Sequence, residues 1–275
     1  MSLDTYNNSV AAVTGAGSGI GRELALQLAK AGCHLAIADI NEAGLNETRD
    51  LLAPYPVELS CHLVDVAQRE QVQNFADHAH KHHGKINLVI NNAGVTVFDS
   101  VENSSYQDLE WIMNINFWGV VHGTKAFLPY LKEQAQAHIV NVSSVFGLVG
   151  VPQQCAYNAS KFAIRGFTES LRQEMAGSNL GVSCVHPGGI ATAIVVNGRY
   201  PGGNKDAAIT GFEKLAITTA ESAANTILTG VLKNRGRILI GRDAKLVDLI
   251  SRLFPQSYGK IMAWFGPKDQ DIYNS

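Results

Sequence analysis

Thr14-Gly15-Ala16-Gly17-Ser18-Gly19-Ile20-Gly21 separates a short apolar run from a longer amphipathic one. Before it, Val10–Thr14 reads as a buried strand; after it, Ile20–Lys30 carries apolar residues at helical spacing. Glycine lets the backbone turn tightly and come close to a pyrophosphate. The N-terminus of the following helix then offers free N–H groups and a positive dipole end. A tight strand-to-helix turn with no ligand is the plainer alternative. The position of the loop, inside the first β–α unit, favours a dinucleotide.

The same alternation continues outward. Strands are expected at His34–Asp39, Val57–Val64, Asn87–Asn91, His138–Ser143, Val182–His186 and Arg237–Ile240. Helices are expected at Glu42–Leu52, Arg69–His82, Tyr106–Lys132, Tyr157–Met175 and Ala220–Lys233. The strand runs are nearly continuous in apolar residues, as when both faces of a sheet are covered. Repeated β–α units predict an α/β fold, a doubly wound parallel sheet of about seven strands with helices on both faces. The 275 residues fit one domain. Residues 193–217 break the rhythm with Gly198, Pro201, Gly202, Gly203 and Gly211, and are expected to form a substrate loop.

Composition narrows the function classes. With 22 Lys and Arg against 24 Asp and Glu, the chain has no electrostatic footprint for nucleic acid. Cys33, Cys61, Cys155 and Cys184 form no close pair, so neither zinc nor a disulfide framework is indicated, and a reducing, cytoplasmic setting is expected. Residues 1–9 lack the apolar core of a signal peptide, and no run reaches the length of a membrane span. His78, His80, His82 and His83 include an i, i+4 pair, but without a supporting carboxylate they read as solvated, and no metal is expected. His186 reads as a packed strand residue.

Two side-chain positions carry the chemistry. Asp39 ends the second strand, where a carboxylate can accept hydrogen bonds from ribose hydroxyls and repel a 2′-phosphate. Ile40 and Asn41 follow it instead of a basic residue, which favours NAD over NADP. Asp39 could alternatively cap the next helix. Tyr157 and Lys161 stand four apart, on one helical face. A phenol titrates near pH 10, and a neighbouring cation lowers that value, which would suit the Tyr to proton transfer.

The glycine loop, Asn91-Asn92-Ala93-Gly94, Asn116-Phe117-Trp118-Gly119, Ser143-Ser144, the Tyr–Lys pair and Pro187-Gly188-Gly189 occur in this order. Together they resemble the short-chain dehydrogenase/reductase family in its compact, single-domain Rossmann-type form, over about Val10 to Ile240. The resemblance implies Tyr157 as general acid/base and Lys161 as the group that lowers its pKa and binds the nicotinamide ribose. It implies Ser144, rather than Ser143, as the substrate-orienting hydroxyl, and Asn116 as holder of a water in a proton relay. Cofactor contacts are implied for Gly15, Ser18, Gly19, Ile20, Gly21, Asp39, Asp65, Val66, Asn92, Ala93, Gly94, Tyr157, Lys161, Pro187, Gly188, Ile190 and Thr192.

The reaction expected is hydride transfer between the nicotinamide and a secondary alcohol or ketone. Substrate contacts are expected from Ser144, Phe146, Gln154 and Tyr157, with Val95, Thr96, Val97, Val145 and Val149 as further lining. This mostly apolar set suits a lipophilic substrate. An NADPH-dependent 3-ketoacyl thioester reductase and a non-catalytic dinucleotide sensor are the rival readings. Asp39 and Ser18 argue against the first, and retention of Ser144, Tyr157 and Lys161 against the second. The family implies a homodimer or homotetramer. In the tail, residues 243–268, Leu246, Leu249, Ile250 and Leu253 form a helical stripe. Three readings stay open there: a cap on the pocket or a sister subunit, contact with a membrane surface, or packing on the chain's own core.

Overall fold

The computed structural model describes residues 5–201 and 205–265. In chain order the elements are β1 (Val10–Thr14), α1 (Gly19–Lys30), β2 (His34–Asp39), α2 (Glu42–Leu52), β3 (Leu59–Leu63), α3 (Arg69–His83) and β4 (Leu88–Asn91). Next come α4 (Tyr106–Met113), a π turn (Asn114–Trp118), α5 (Gly119–Lys132), β5 (Ala137–Val142), a 3₁₀ turn (Val145–Gly147) and α6 (Cys155–Glu174). The chain continues with β6 (Leu180–Pro187), β7 (Ile190–Ala191), α7 (Lys205–Leu215), β8 (Thr218–Thr219), α8 (Ala220–Leu232) and β9 (Arg237–Ile240). The tail forms α9 (Arg242–Leu253) and α10 (Tyr258–Phe265).

Seven strands form one parallel sheet in the order β3-β2-β1-β4-β5-β6-β9. Successive side chains of β1 point to opposite faces. Ala11 and Val13 pack with Leu24 and Leu28 of α1 and Ile227 and Val231 of α8. Val10 and Ala12 pack with Val72 and Phe75 of α3 and Phe127 and Leu131 of α5. Every residue of β1 is therefore buried, which is why the sequence shows no polar alternation there.

Three expectations need correction. The third strand is shorter than Val57–Val64, because Tyr55 to Val57 are occupied by a turn in which the Val57 N–H donates to the Tyr55 carbonyl. The helix expected over Tyr106–Lys132 is interrupted by the π turn, a feature of one shifted hydrogen-bond register that leaves no mark in apolar spacing. Residues 193–217 are not all loop. They contain α7, and their ends are drawn together where Ile190 pairs with Thr218 and Ala191 with Thr219. Gly198 and Pro201 precede α7, Gly211 lies within it, and Gly202 and Gly203 lie outside the described residues.

Candidate active site

β1 and β4 are adjacent in the sheet but lead to connections that run to opposite sides, so a crevice opens beyond their C-terminal ends. The glycine loop fills its floor. Gly15 (φ +67°) and Gly19 (φ +53°) adopt a backbone region that L-side chains rarely enter. At Gly21 a Cβ would collide with the Gly15 carbonyl and the Asn92 amide. Ser18 precedes α1, is exposed and makes no side-chain cap, so no hydroxyl occupies the first N–H groups of that helix. A pyrophosphate fits this cradle.

Asp39 lies beneath the loop. Its Oδ2 accepts from the Gly17 N–H (2.8 Å) and its Oδ1 from the Asn41 N–H (2.9 Å). The helix cap falls to Asn41, whose side chain accepts from Gly44 N–H, so the capping alternative for Asp39 does not hold. Arg22 reaches the same loop through the Gly17 carbonyl, but it is paired with Glu47 at 2.7 Å. Asp65 accepts from Ala67 N–H, and Val66 is buried against the position of Gly119. Asn92 donates to the carbonyls of Thr14 (3.0 Å) and Gly15 (3.2 Å), fixing the loop to β4. Ala93 and Gly15 approach so closely that a side chain at position 15 would strike the Ala93 backbone. A cleft of about 480 Å³ runs from Gly19 to Thr192 and is lined by Ala191, Ala193, Val195, Val196, Ile209 and Ala216. Ile190 itself is buried in β7 rather than lining the cleft.

On the other wall, α6 presents Tyr157 and Lys161 on one face, and Ser144 follows β5. The Ser144 hydroxyl accepts from Phe146 N–H (3.1 Å) and acts on the Tyr157 phenol to lower its pKa, and Phe146 meets the Tyr157 ring edge-on at 6.2 Å. The Lys161 ammonium lies 5.5 Å from the centre of the Tyr157 ring and donates to the Val142 carbonyl at 3.1 Å. Burial pushes the Tyr157 phenol up to about 12, against the smaller opposing effect of Ser144. Burial likewise brings the Lys161 ammonium down to about 8. Burial thus has the larger effect on the phenol, and the opposing effect comes from Ser144 rather than from the Lys161 cation expected to lower it.

Asn116 is fully buried. Its Oδ1 accepts from Val95 N–H (2.8 Å), and its Nδ2 donates to the Val95 carbonyl and the Ser160 hydroxyl (both 3.0 Å). The side chain thus clamps the strand after β4 onto α6. A Cβ at Gly94 would come within 3.2 Å of Asn116 and 3.4 Å of the Lys161 ammonium, which places these three at one junction. Ser143, the other serine, donates to the Lys161 carbonyl (2.8 Å) and faces away from the cleft chemistry. This separates the two hydroxyls by geometry.

Several expected lining residues are core. Val97 and Val149 are buried, as is Val145, and Gln154 is buried and bonded through its Oε1 to the Thr96 hydroxyl. The histidine cluster is only partly solvated: His83 has a buried side chain against Ser60, and His80 stacks on Tyr130. No group of three metal-ligating side chains occurs among the described residues. His186 is buried as expected, and its Nδ1 lies 3.0 Å from the Ser144 carbonyl.

Sequence reading missed Asp243. Its carboxylate accepts from the Gly189 N–H (2.7 Å) and fills the space that a side chain at Gly188 would need. It thereby holds the Pro187-Gly188-Gly189 turn from 54 residues away. Arg199 was also missed; it lies 3.6 Å over the Trp111 ring and pairs with Asp108, closing the loop after Thr192 onto α4. Neither has a local signature.

Comparison with known proteins agrees with this arrangement. The family model for short chain dehydrogenase matches residues 9–200. The chain is 44% identical over 265 residues to "Putative oxidoreductase SadH" of Mycobacterium tuberculosis, covering 95% of this chain and 96% of that protein. It is 33% identical to "Dehydrogenase/reductase SDR family protein 7-like" of Drosophila melanogaster, covering 92% of this chain and 79% of the relative. A short chain dehydrogenase/reductase of Burkholderia phymatum, solved in complex with NAD, superposes with a TM-score of 0.85 at 31% identity, covering 97% and 99% of the two chains. The protein belongs to the short-chain dehydrogenase/reductase family.

Proposed function

We propose that the protein interconverts a lipophilic secondary alcohol and its ketone with NAD. The observation that carries this reading is the grouping of the Tyr157 phenol with Ser144, which opposes the rise of its pKa, and with the Lys161 ammonium 5.5 Å from its ring centre. NAD supplies the hydride acceptor for oxidation and, reduced, the donor for reduction. Tyr157 Oη takes the alcohol proton in one direction and returns it in the other. Ser144 Oγ donates to the substrate oxygen and stabilises charge developing there. Lys161 binds the ribose and adds positive charge beneath the phenol. Asn116 keeps the Val95 strand and Ser160 in register with Lys161.

NAD is favoured over NADP because the Asp39 carboxylate, held beside the glycine loop by Gly17 N–H, would accept from ribose hydroxyls and repel a 2′-phosphate. Arg22, a cation at the same loop, is paired with Glu47. The same carboxylate weighs against an NADPH-dependent 3-ketoacyl thioester reductase. The apolar lining, Ala191, Ala193, Val195, Val196 and Ile209, supports a lipophilic substrate. Self-association as a dimer or tetramer is supported by exposed Tyr106, Trp118 and Phe162 on the packed α4–α6 side. All four cysteines are free, with Cys61 exposed, which supports a cytoplasmic setting.

A panel of alcohols assayed with NAD tests the reading. Tyr157→Phe is expected to lower turnover of the best alcohol by about 10²–10⁴-fold while NADH binding, read by fluorescence, persists. Unchanged turnover in that variant overturns the mechanism, and faster oxidation with NADP than with NAD overturns the cofactor assignment.

A further inference from the structure

Helix α9 is turned the wrong way round for a helix packed on a globular core. Leu246, Leu249 and Leu253 are three and four residues apart and share one face, and they are 58%, 54% and 63% exposed. Phe254 extends the ridge. The opposite face is the buried one, through Ala244 and Asp248. A surface helix ordinarily places its apolar stripe inward. Here the inward face is small and polar.

The charges are sorted in the same sense. Both carboxylates of α9 point into the protein: Asp243 to the Gly189 N–H, Asp248 to Arg237 at 2.5 Å. The cations stay outside. Arg242 and Lys245 are exposed, as is Lys260 on α10, and among the described residues none of these three has an ion-pair partner. Arg252 is 68% exposed, with Asp248 at 3.8 Å. The outward side of α9 is thus an apolar ridge bordered by positive charge alone.

We propose that this ridge docks on an anionic lipid bilayer surface, with the leucines and Phe254 entering the headgroup–acyl boundary and the cations meeting lipid phosphates. No described helix is long and apolar enough to cross a membrane, so the contact lies on the surface. A second copy of the chain is the poorer occupant. A two-fold contact through this face would set cations against cations with no outward carboxylate on α9 to pair them. The ridge also stands close to the cleft: α9 packs on the Val145–Gly147 turn that follows Ser144, and the Tyr258 hydroxyl accepts from Gly150 N–H. If the alcohol reading holds, docking brings the pocket wall to the phase in which a lipophilic substrate collects; the docking itself does not rest on that reading.

Co-sedimentation of the full chain with phosphatidylcholine vesicles, with and without phosphatidylglycerol, tests this directly, with light scattering on the same samples. The protein is expected to pellet with the anionic vesicles and to be released by salt. Leu246→Gln/Leu249→Gln/Leu253→Gln is expected to weaken binding by more than about tenfold. Arg242→Gln/Lys245→Gln should cost roughly fivefold per charge and leave binding to neutral vesicles unchanged. The cation variant keeps the test intact should the leucine variant fold poorly. Failure to pellet with anionic vesicles overturns the proposal, and so does binding indifferent to both variants. A molar mass that falls in the leucine variant would assign the ridge to a second copy instead. Alcohol oxidation is measured separately, so loss of the function reading leaves this result standing.

Discussion

The two sides of the crevice are built on different terms. On the β1–β4 side, backbone meets backbone: Gly21 and Gly15 leave no room for a side chain, and Asn92 and Asp39 hold the loop with short bonds. On the β6–β9 side, carboxylate and imidazole side chains do the holding. Asp243 fixes the Pro187-Gly188-Gly189 turn, and His186 meets the Ser144 carbonyl. Polar atoms are left over there, including His186 Nε2 and Asp243 Oδ1, both buried without a hydrogen-bond partner. The first side is shaped for a ligand of fixed form. The second is adjusted to this chain's own tail.

Gly21→Ala should have the largest effect, because the obstacle is the Gly15 carbonyl, which cannot move without opening the loop. The expected cost is about 3 kcal/mol, a Tm lower by roughly 10 °C, with loss of measurable NADH binding. A variant with normal Tm and binding would show that the loop yields, and the contrast between the two sides would fail.

Asp243→Ala comes next. It leaves the Gly189 N–H without its acceptor, at a cost of about 1–3 kcal/mol. Because the turn lies beside Thr192, the KM for NAD is expected to rise about fivefold or more, with a smaller change in kcat. Both parameters staying at their wild-type values would reduce Asp243 to a helix-end charge.

This difference also explains what could be read from the sequence. The β1–β4 side was legible because close backbone approach selects glycine, and glycine spacing is visible in a single chain. Tyr157, Lys161 and Ser144 were legible through their order along the chain, and the structure brings them together. Asn116 was placed in the right junction, but its amide is taken up by Val95 and Ser160, which no spacing reveals. Asp243 and Arg199 act over 54 and 91 residues, on Gly189 and Asp108 respectively, so neither leaves a local pattern. The Leu246–Leu253 stripe was visible as a helix, whereas its outward facing depends on the inward pull of Asp243 and Asp248. Helical period alone cannot carry that information.

Acid sensitivity sharpens the contrast with a smaller effect. The Ser183 hydroxyl donates to the Arg235 carbonyl (2.7 Å), so the His138 Nε2–H must be the donor in the 2.7 Å contact with Ser183. His186 Nδ1 faces a carbonyl and must likewise carry the proton. Each ring then has one bare nitrogen buried without a partner, and burial lowers His138 to about 3 and His186 to about 4. The unfolded chain takes up these protons near pH 6.5 while the folded chain does not. Stability from both is therefore complete above pH 6.5 and falls as pH drops from 6.5 toward 4, by up to about 1.4 kcal/mol per pH unit for each ring. Chemical denaturation at pH 7.5, 6.5, 5.5 and about 4.5 should show a flat region and then a slope. In His186→Gln that slope should be shallower by up to about 1.4 kcal/mol per pH unit, while His138 and the likewise lowered His62 keep their share of it. An unchanged slope would mean that the His186 site opens to water before the fold does, and that the β6–β9 side is looser than its buried atoms suggest.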